Sequence, residues 1–323
     1  MSGASTAAAE AAAKGGQVGE AHEAGGAAHV RLLLDTLRLD RPVRILDVGA
    51  SPIIPAPYRP LLAMGGCEIV GFEPNPEAFR RLEETKSARE TYFPFAVGNG
   101  SRGELKIYKS PGFTSLFEPY LAASAFVGTR SWRKIEKRVP LETVRMDDRT
   151  DVGPFDLFKI DIQGGELDVF ANARAAMAGT MAVIVEMRYY PIYAGEPMIG
   201  GVDGELRAQG FFIHKFLGVK SKPVPNSQMA RLRKRRVADQ AIDGDVVYVR
   251  DMAKVAQYSD GQLSRLAILA ASVFESHTLA LFCLDHLAGR GAVPGDLAAR
   301  YVDLLPESLR EPEGAVPAAE DED

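Results

Sequence analysis

The part of the sequence that most constrains the fold is residues 43–76, where two short apolar runs flank a turn-rich stretch. The runs at 43–48 and 68–72 are rich in β-branched residues. An acidic residue beside turn formers marks the end of each, Asp47 in the first and Glu73 after the second. Such runs are typical of strands buried on both faces of a parallel sheet. The stretch between them is long enough for the crossover that joins parallel neighbours, so we predict an α/β fold.

The ends of these two runs indicate where a ligand binds. In an open parallel sheet, ligands lie beyond the carboxyl ends of the strands, where the chain changes direction. Glu73 ends the second strand, and a carboxylate there can accept hydrogen bonds from both hydroxyls of a ribose. Gly49 adds no side chain, so the backbone can approach the ligand closely. We therefore expect a pocket for a nucleoside cofactor at this edge.

Five segments of the chain, taken in order, resemble the FkbM family of class I S-adenosylmethionine-dependent methyltransferases. They are ILDVGA (45–50), VGFEPNP (70–76), FAVGNGSRGEL (95–105), FDLFKIDIQGGE (155–166) and VIVEM (183–187). One Asp-x-Gly turn is unspecific, because many doubly wound folds have it, whereas five ordered segments are specific. The resemblance implies a Rossmann-like seven-stranded methyltransferase sheet, mostly parallel, with an antiparallel last strand and an added hairpin. The third strand is predicted at about 91–97 and the last two at 210–218 and 245–250.

The resemblance also implies S-adenosyl-L-methionine as the cofactor and a set of residues that bind it. The loop after the first strand would hold the methionine end, Glu73 the ribose, and the turn after the third strand the adenine. The expected cofactor-binding residues are Asp47, Gly49, Ala50, Ser51, Glu73, Asn75, Val97, Asn99 and Asp161. Asn99 is read equally well as a turn asparagine that tolerates unusual dihedral angles.

Three residues are candidates for the catalytic base. Asp161 follows the fourth strand, where it can accept a hydrogen bond from the cofactor's ammonium group or from the acceptor hydroxyl. The alternative for Asp161 is a cap on the next helix, and for Glu166 a cap or a salt bridge. Glu186 ends the fifth strand at the same edge. His214 alternates with apolar neighbours in a later strand, which favours a structural histidine over a base.

The implied reaction is O-methylation of a hydroxyl on a sugar, glycan or secondary metabolite. A hydroxyl is a poor nucleophile until its proton is removed, so a base is expected. The preference for oxygen comes from the resemblance alone. The two cysteines and the acids show no metal-ligand spacing, so we predict no metal site.

Two other functions compete with this one. A nucleotide-sugar or dinucleotide enzyme can use the same sheet, but no Gly-x-Gly-x-x-Gly follows the first strand. A catalytically inactive binding or scaffold protein with a methyltransferase fold is favoured by one feature. The loop at 49–55 lacks the second glycine that is usual in the family.

The region between the predicted hairpin strands, 103–110 and 138–146, contains aromatic and small polar residues. Phe113, Phe117, Tyr120 and Trp132 are candidates for an acceptor pocket, although loop aromatics usually pack under their own loop. We expect Thr114 and Ser115 in a solvated loop. The segment 191–201 is expected to form a lid over the acceptor.

Composition divides the chain into four parts. Residues 1–28 and 306–323 are poor in large apolar residues and are predicted to be disordered. Residues 29–251 form the predicted FkbM-like methyltransferase domain, which begins with a helix beside the sheet. Residues 252–305 form a helical extension beyond the resemblance, whose apolar stripe is expected to pack on the domain or to build a homodimer.

The charge pattern limits the expected partners. The formal net charge of −5 gives no strong nucleic-acid signal, and the longest apolar region contains charged residues, which argues against a transmembrane segment. The basic segment from Arg231 to Arg236 favours a solvated loop over contact with an anionic surface. The absence of a basic-then-apolar leader and of paired cysteines predicts a cytoplasmic protein. The small-molecule or glycan acceptor is implied by the resemblance to the FkbM family.

Overall fold

The computed structural model describes residues 28–52, 55–127, 133–234 and 236–311, and it divides into two compact units. The sheet unit is Arg41–Gln262, and the helical unit contains the described residues before and after it. The predictions for residues 1–27, Trp132, Arg235 and the tail beyond residue 311 lie outside the described residues.

The sheet unit contains one large sheet and a smaller three-stranded sheet. In chain order, the strands are β1 (Val43–Val48), β2 (Cys67–Phe72), β3 (Glu90–Phe93), β4 (Ala96–Val97), β5 (Arg102–Tyr108), β6 (Ile135–Val144), β7 (Leu157–Ile160), β8 (Ala182–Arg188), β9 (Phe211–Phe216), β10 (Lys220–Lys222) and β11 (Gln240–Arg250).

The large sheet has the strand order β10-β11-β8-β7-β1-β2-β3, and β9 also pairs with β11. The pairs among β3, β2, β1, β7 and β8 are parallel, and β11 runs antiparallel to β8. Because β9 and β10 pair with successive stretches of β11, eight strands fill seven positions. The prediction of a mostly parallel sheet with an antiparallel last strand is confirmed.

The smaller sheet contains the added hairpin. β5 and β6 pair antiparallel, and β4 runs parallel to β6. The prediction of one strand across 91–97 is wrong, because β3 ends at Phe93 and β4 joins the other sheet. Pro94 stands between them, and proline cannot donate the hydrogen bond that would continue the ladder.

The helices of the sheet unit are short, and those of the helical unit include the longest. The former are α2 (Arg59–Ala63), α3 (Pro76–Thr85), α4 (Leu121–Phe126), α5 (Glu166–Ala171) and α6 (Ile199–Ala208). The helical unit contains α1 (Ala28–Thr36), most of α7 (Asp260–Ser272), α8 (His277–Gly289) and α9 (Leu297–Asp303). None of the described helices is long and apolar enough to cross a membrane.

Helix α1 belongs to the helical unit, although the sequence assigns it to the methyltransferase domain. Its buried His29 makes edge-on ring contacts with His277 and Tyr301, with centroids 5.4 Å apart in both cases. Apolar residues of α7 and α8 are buried in the single chain, as their stripe requires. The homodimer and the boundaries at 251 and 305 stay predictions.

Burial in the large sheet explains the apolar runs of the sequence. Every residue of β8 is buried, and β1 and β2 have one half-buried residue each. A parallel strand with neighbours on both sides and cover on both faces needs such a composition. The few polar residues on these strands therefore stand out as a group.

Candidate functional site

Charged side chains gather on one face of the large sheet, at the carboxyl ends of its parallel strands. Asp47 lies opposite Lys159, Glu186 opposite Asp245, and Arg188 opposite Asp243 in the strand register. Because residues two apart in a strand share a face, these pairs fall on the same side of the sheet. We call this group the polar face; its members are Asp47, Glu73, Lys159, Asp161, Glu186, Arg188, Lys220, Asp243 and Asp245.

Asp47 anchors the first loop to the sheet. It is 2% exposed, and it accepts hydrogen bonds from the Tyr58 hydroxyl and from Nζ of Lys159 at 2.8 Å. Burial lowers the pKa of Lys159, but the charges of Asp47 and Asp161 outweigh burial and hold that pKa above its ordinary value. Lys159 of β7 therefore holds Asp47 to the neighbouring strand.

The loop after β1 is packed tightly against the rest of the chain. Gly49 has φ +83°, and a Cβ there would lie 2.1 Å from the carbonyl oxygen of Asp161. Its N–H and that of Ala50 both donate to the carbonyl of Phe72. Ala50 is buried, and Ser51 is exposed. Glycine is therefore required here by the approach of the backbone at Asp161, whatever else the loop binds.

Glu73 is a buried carboxylate at the end of β2. It is 9% exposed, and its Oε1 accepts from the N–H of Asn75 at 2.7 Å. Burial, with a smaller contribution from the charge of Asp47, raises the pKa of Glu73 to about 7, against the effect of that hydrogen bond. The side chain of Asn75 caps α3 by accepting from the N–H of Glu77 at 3.0 Å. Among the described residues, Oε2 of Glu73 has no hydrogen-bond partner.

A cavity of about 180 Å³ opens beside the turn after β4. Its lining residues are Val97, Gly98, Asn99, Ser101, Gly103, Leu116, Phe117, Thr143, Gly165 and Asp168. Asn99 accepts from the N–H of Ser101 at 3.0 Å and donates to Asp168 at 3.1 Å. The turn role of Asn99 is thus present, and its contact with adenine stays a prediction.

Two of the three candidate bases are joined through one amide. Nε2 of Gln163 donates to Oδ1 of Asp161 at 2.8 Å and also to Oε2 of Glu186. Burial and the charge of Asp161 raise the pKa of Glu186 to about 8, against the opposing effect of Lys220 and Arg188. The other oxygen of Asp161 has no hydrogen-bond partner in the part of the chain that the structure describes. The structure therefore brings Asp161 and Glu186 together.

An ion-pair network continues from Glu186 along the polar face, from the buried Arg188 to the exposed Lys220. Arg188 contacts Glu196 at 3.0 Å, Asp243 at 2.9 Å and Glu186 at 3.3 Å. Lys220 contacts Glu186 at 2.8 Å and Asp243 at 2.9 Å. Burial lowers the pKa of Arg188, but the surrounding carboxylates raise it above its ordinary value. These contacts leave Glu186 little freedom to move.

Four residues of the site are not predicted from the sequence: Gln163, Lys220, Asp243 and Asp245. For the two aspartates a signal exists, because acids two positions apart in a largely apolar strand mark one polar face. For Gln163 the sequence gives no signal of its own. Asp245 lies opposite Glu186 in the strand register, and burial, then the charge of Asp161, raises the pKa of Asp245.

His214 and Glu166 have positions apart from this group. His214 lies in β9 at the bulge opposite Val247 and Tyr248, where burial and then Lys215 lower its pKa. Glu166 accepts from the N–H groups of Ile162 and Gly164 in the loop before its helix, at 3.0 and 2.9 Å, and its role as a cap or in a salt bridge stays a prediction. Among the described residues, no three His, Cys, Asp or Glu side chains are arranged to hold a metal ion.

The segment between the hairpin strands packs over the end of β8. Ser115 is fully buried and donates to the carbonyl of Gln163 at 2.6 Å, so the prediction of a solvated loop is wrong for this residue. Phe113 and Phe117 pack around Tyr193, whereas Tyr120 is 40% exposed. A loop covering a polar sheet edge needs such internal anchors, which sequence alone does not show. The roles of these aromatics and of the lid stay predictions.

Comparison with known proteins gives one family. The model of the FkbM methyltransferase domain matches residues 47–213, about half of the chain. The 2-O-methyltransferase NoeI of Sinorhizobium fredii is 26% identical over 175 residues, which are 51% of this chain and 71% of NoeI.

Two solved structures give weaker matches. The magnesium protoporphyrin IX methyltransferase ChlM of Synechocystis PCC 6803, with bound SAM, is 10% identical with a TM-score of 0.34. That match covers 76% of this chain and 77% of ChlM. An O-methyltransferase from a trans-AT PKS multienzyme of Brevibacillus brevis, in complex with S-adenosyl-L-homocysteine, is also 10% identical with a TM-score of 0.32. Here 82% of this chain and 84% of the other are covered.

These TM-scores are too low to carry an argument, and the assignment rests on the sequence match and its place in the fold. The matched region begins at Asp47 and contains Glu73, Asp161 and Glu186, which the structure places at the carboxyl edge of the sheet. The chain therefore belongs to the FkbM methyltransferase family, which uses S-adenosylmethionine as its methyl donor.

Proposed function

We propose that this methyltransferase transfers the methyl group to a hydroxyl oxygen of a neutral sugar or glycan, with Asp161 as the base. The observation that carries the proposal is the position of Asp161. Its Oδ1 is fixed by Gln163, its other oxygen has no partner among the described residues, and it lies between the first loop and Glu186.

The residues of the carboxyl edge fit the cofactor. Glu73 offers a carboxylate oxygen to the ribose hydroxyls, and burial strengthens such hydrogen bonds because water competes less. A cavity of about 180 Å³ is smaller than the sites of whole drug-sized ligands, so the one beside Asn99 suits a single planar base. The loop at Gly49 would contact the methionine end. The cofactor supplies a methyl group already activated by its sulfonium centre.

The protein's contribution to the reaction is alignment and proton removal. In an in-line displacement the acceptor oxygen must be held against the methyl carbon, and orientation of this kind accounts for a large part of rate enhancement. Asp161 would take the hydroxyl proton on its open oxygen. Glu186 already accepts from Gln163 and pairs with Lys220 and Arg188, which suits it to orient rather than to exchange protons.

The charge of the site supports a neutral acceptor. The polar face has more acids than bases, so a phosphorylated or carboxylated acceptor would meet repulsion there. Exposed rings lie next to the covering segments, since Tyr120 is 40% exposed and Phe126, which contacts Tyr190, is 36% exposed. Such rings offer an apolar surface for the CH faces of a sugar. The similarity to NoeI, whose name specifies O-methylation, supports oxygen as the acceptor atom.

The test is transfer from S-adenosylmethionine with a tritiated methyl group, using the full chain. The acceptor panel contains neutral oligosaccharides, the same oligosaccharides carrying uronic acid or phosphate, and amino sugars. We expect label in the neutral set, with the methyl group on oxygen by NMR of the product. Label on nitrogen alone would overturn O-methylation. Cofactor binding without transfer to any acceptor would favour the scaffold function.

A further inference from the structure

Gln163 joins the acids of the site although its own side chain is uncharged. Its Nε2 donates to Asp161 and Glu186, while its Oε1 lies 3.2 Å from Nη2 of Arg188 and 3.1 Å from the Tyr193 hydroxyl. The amide thus has acceptors on its nitrogen side and donors on its oxygen side. The orientation of the amide places its nitrogen toward the two carboxyl groups and its oxygen toward Arg188, so each of these contacts joins a donor to an acceptor.

The backbone at Gln163 is also held in an unusual conformation. Its φ is +60°, in the left-handed region that few non-glycine residues adopt, and Gly164 follows with φ +112°. The carbonyl of Gln163 accepts from the buried Ser115 hydroxyl at 2.6 Å. Glycine would adopt this conformation at lower cost, so the presence of glutamine is explained by its side-chain contacts.

We propose that Gln163 is a positioning residue for methyl transfer, which holds Oδ1 of Asp161 so that the other carboxylate oxygen faces the acceptor hydroxyl. The inference rests on the proposed function, since it assumes Asp161 as the base. Gln163 is 9% exposed and is tied to Arg188, so it links a half-exposed carboxylate to a buried network. A base that its neighbours already hold in one rotamer loses less conformational entropy when it reacts.

Glycine is the informative replacement for Gln163. Gln163→Gly removes the side chain and keeps the backbone conformation free of strain. We expect kcat to fall about 10- to 100-fold, with KM for S-adenosylmethionine changed less than about threefold. Gln163→Asn keeps an amide and tolerates positive φ, so it should recover part of kcat. Gln163→Glu keeps the shape but replaces the donor with an acceptor, and it should lose as much as glycine.

A matched control separates positioning from folding. The amide of Gln209 donates to the Phe170 carbonyl and to Glu205, both at 2.8 Å, and it lies outside the polar face. Gln209→Ala should lower stability without changing kcat per folded molecule. Urea unfolding of both variants gives the folded fraction to which kcat is referred.

A second readout needs no acceptor. The carboxyl group of Glu186 can be titrated by NMR in protein labelled with ¹³C glutamate. Its neighbours are Asp161, Lys220, Arg188, Asp243 and Asp245. Loss of the donor on Gln163 removes a hydrogen bond to the charged form, so the pKa of Glu186 should rise above the wild-type value in Gln163→Gly. Gln209→Ala should leave it unchanged.

The outcomes distinguish this inference from the proposed function. Wild-type kcat and an unchanged Glu186 titration in folded Gln163→Gly would overturn the positioning role while leaving methyl transfer intact. Absence of transfer by the wild type to every acceptor would overturn the proposed function, and the role of Gln163 with it. If Gln209→Ala lost as much kcat as Gln163→Gly, the loss in Gln163→Gly would be explained by reduced stability and the positioning role would be overturned.

Discussion

Glu73→Gln should move stability and cofactor binding in opposite directions. In the folded protein the pKa of Glu73 is raised from 4.5 to about 7, chiefly by burial. Between these values the folded state binds the proton that the unfolded chain has released, so stability falls as pH rises from 4.5 through 7. Glutamine cannot ionise, yet its oxygen can still accept from the N–H of Asn75. Without cofactor, Glu73→Gln should therefore be more stable than the wild type above pH 7.

The size of the effect follows from the pKa difference of Glu73. Each pKa unit corresponds to roughly 1.4 kcal/mol, so ionisation of this carboxylate costs the fold about 3 kcal/mol at pH 8. At pH 5 the destabilisation is about 1 kcal/mol, because the folded side chain stays protonated and pH 5 lies only about half a unit above the ordinary pKa. In the proposed cofactor complex, ribose hydroxyls would donate to the charged carboxylate of Glu73 and offset this cost.

Urea unfolding of wild type and Glu73→Gln at pH 5 and pH 8 measures this directly. The gain in unfolding free energy should be larger at pH 8 by about 2 kcal/mol. Glu84→Gln on the exposed side of α3, where Glu84 pairs only with Arg80, should change stability by less than about 0.5 kcal/mol. Calorimetry at pH 8 should show S-adenosylmethionine affinity reduced about 10- to 100-fold in Glu73→Gln. An equal gain in unfolding free energy at both pH values would refute a pKa of Glu73 raised by burial.

Three further variants test other parts of the site. Gly49→Ala should destabilise the protein by more than about 2 kcal/mol in urea, because its Cβ would overlap the Asp161 carbonyl; Gly204→Ala in α6, where the added Cβ meets open space, should stabilise it by about 0.5–1 kcal/mol. Lys159→Met should cost about 3 kcal/mol, because it leaves the buried Asp47 carboxylate without its cation, and adding Asp47→Asn should recover part of that loss. Asp161→Asn should lower kcat at least about 100-fold while the calorimetric affinity for S-adenosylmethionine changes little.

Each of these expectations has a contradicting result. A Gly49→Ala protein as stable as wild type would mean that the first loop does not approach the chain as described. If the changes in unfolding free energy caused by Lys159→Met and Asp47→Asn simply add in the double variant, the two side chains do not interact. Asp161→Asn with undiminished turnover would move the role of base to another residue, and Glu186 would be the next to test.

The sheet is predictable from sequence because its determinants are local. The apolar runs of β1, β2 and β8 record burial on both faces, and each ends close to an acid and a turn. β11 begins at Gln240, five residues before the predicted start at Asp245, because Asp243 and Gly244 interrupt the apolar pattern that marks a strand. Asp243, which obscured the start of the strand, is a member of the polar face.

The contacts of the site are less predictable because they join distant segments. Lys159 pairs with Asp47, which is 112 positions away, and Ser115 holds the backbone 48 positions away at Gln163. Neither partner is implied by the residues next to it in sequence. The role of Gln163 depends on a positive φ and on donors from two other segments, so it becomes visible only when those segments are in place.

Calorimetric titration of the full chain with S-adenosylmethionine and, separately, with NAD tests the cofactor site. We expect micromolar binding of S-adenosylmethionine, no binding of NAD, and a severe loss of affinity in folded Glu73→Ala. Binding of neither ligand, or unchanged affinity in Glu73→Ala, would contradict the cofactor site at the carboxyl edge and would make the altered glycine loop the central feature of this protein.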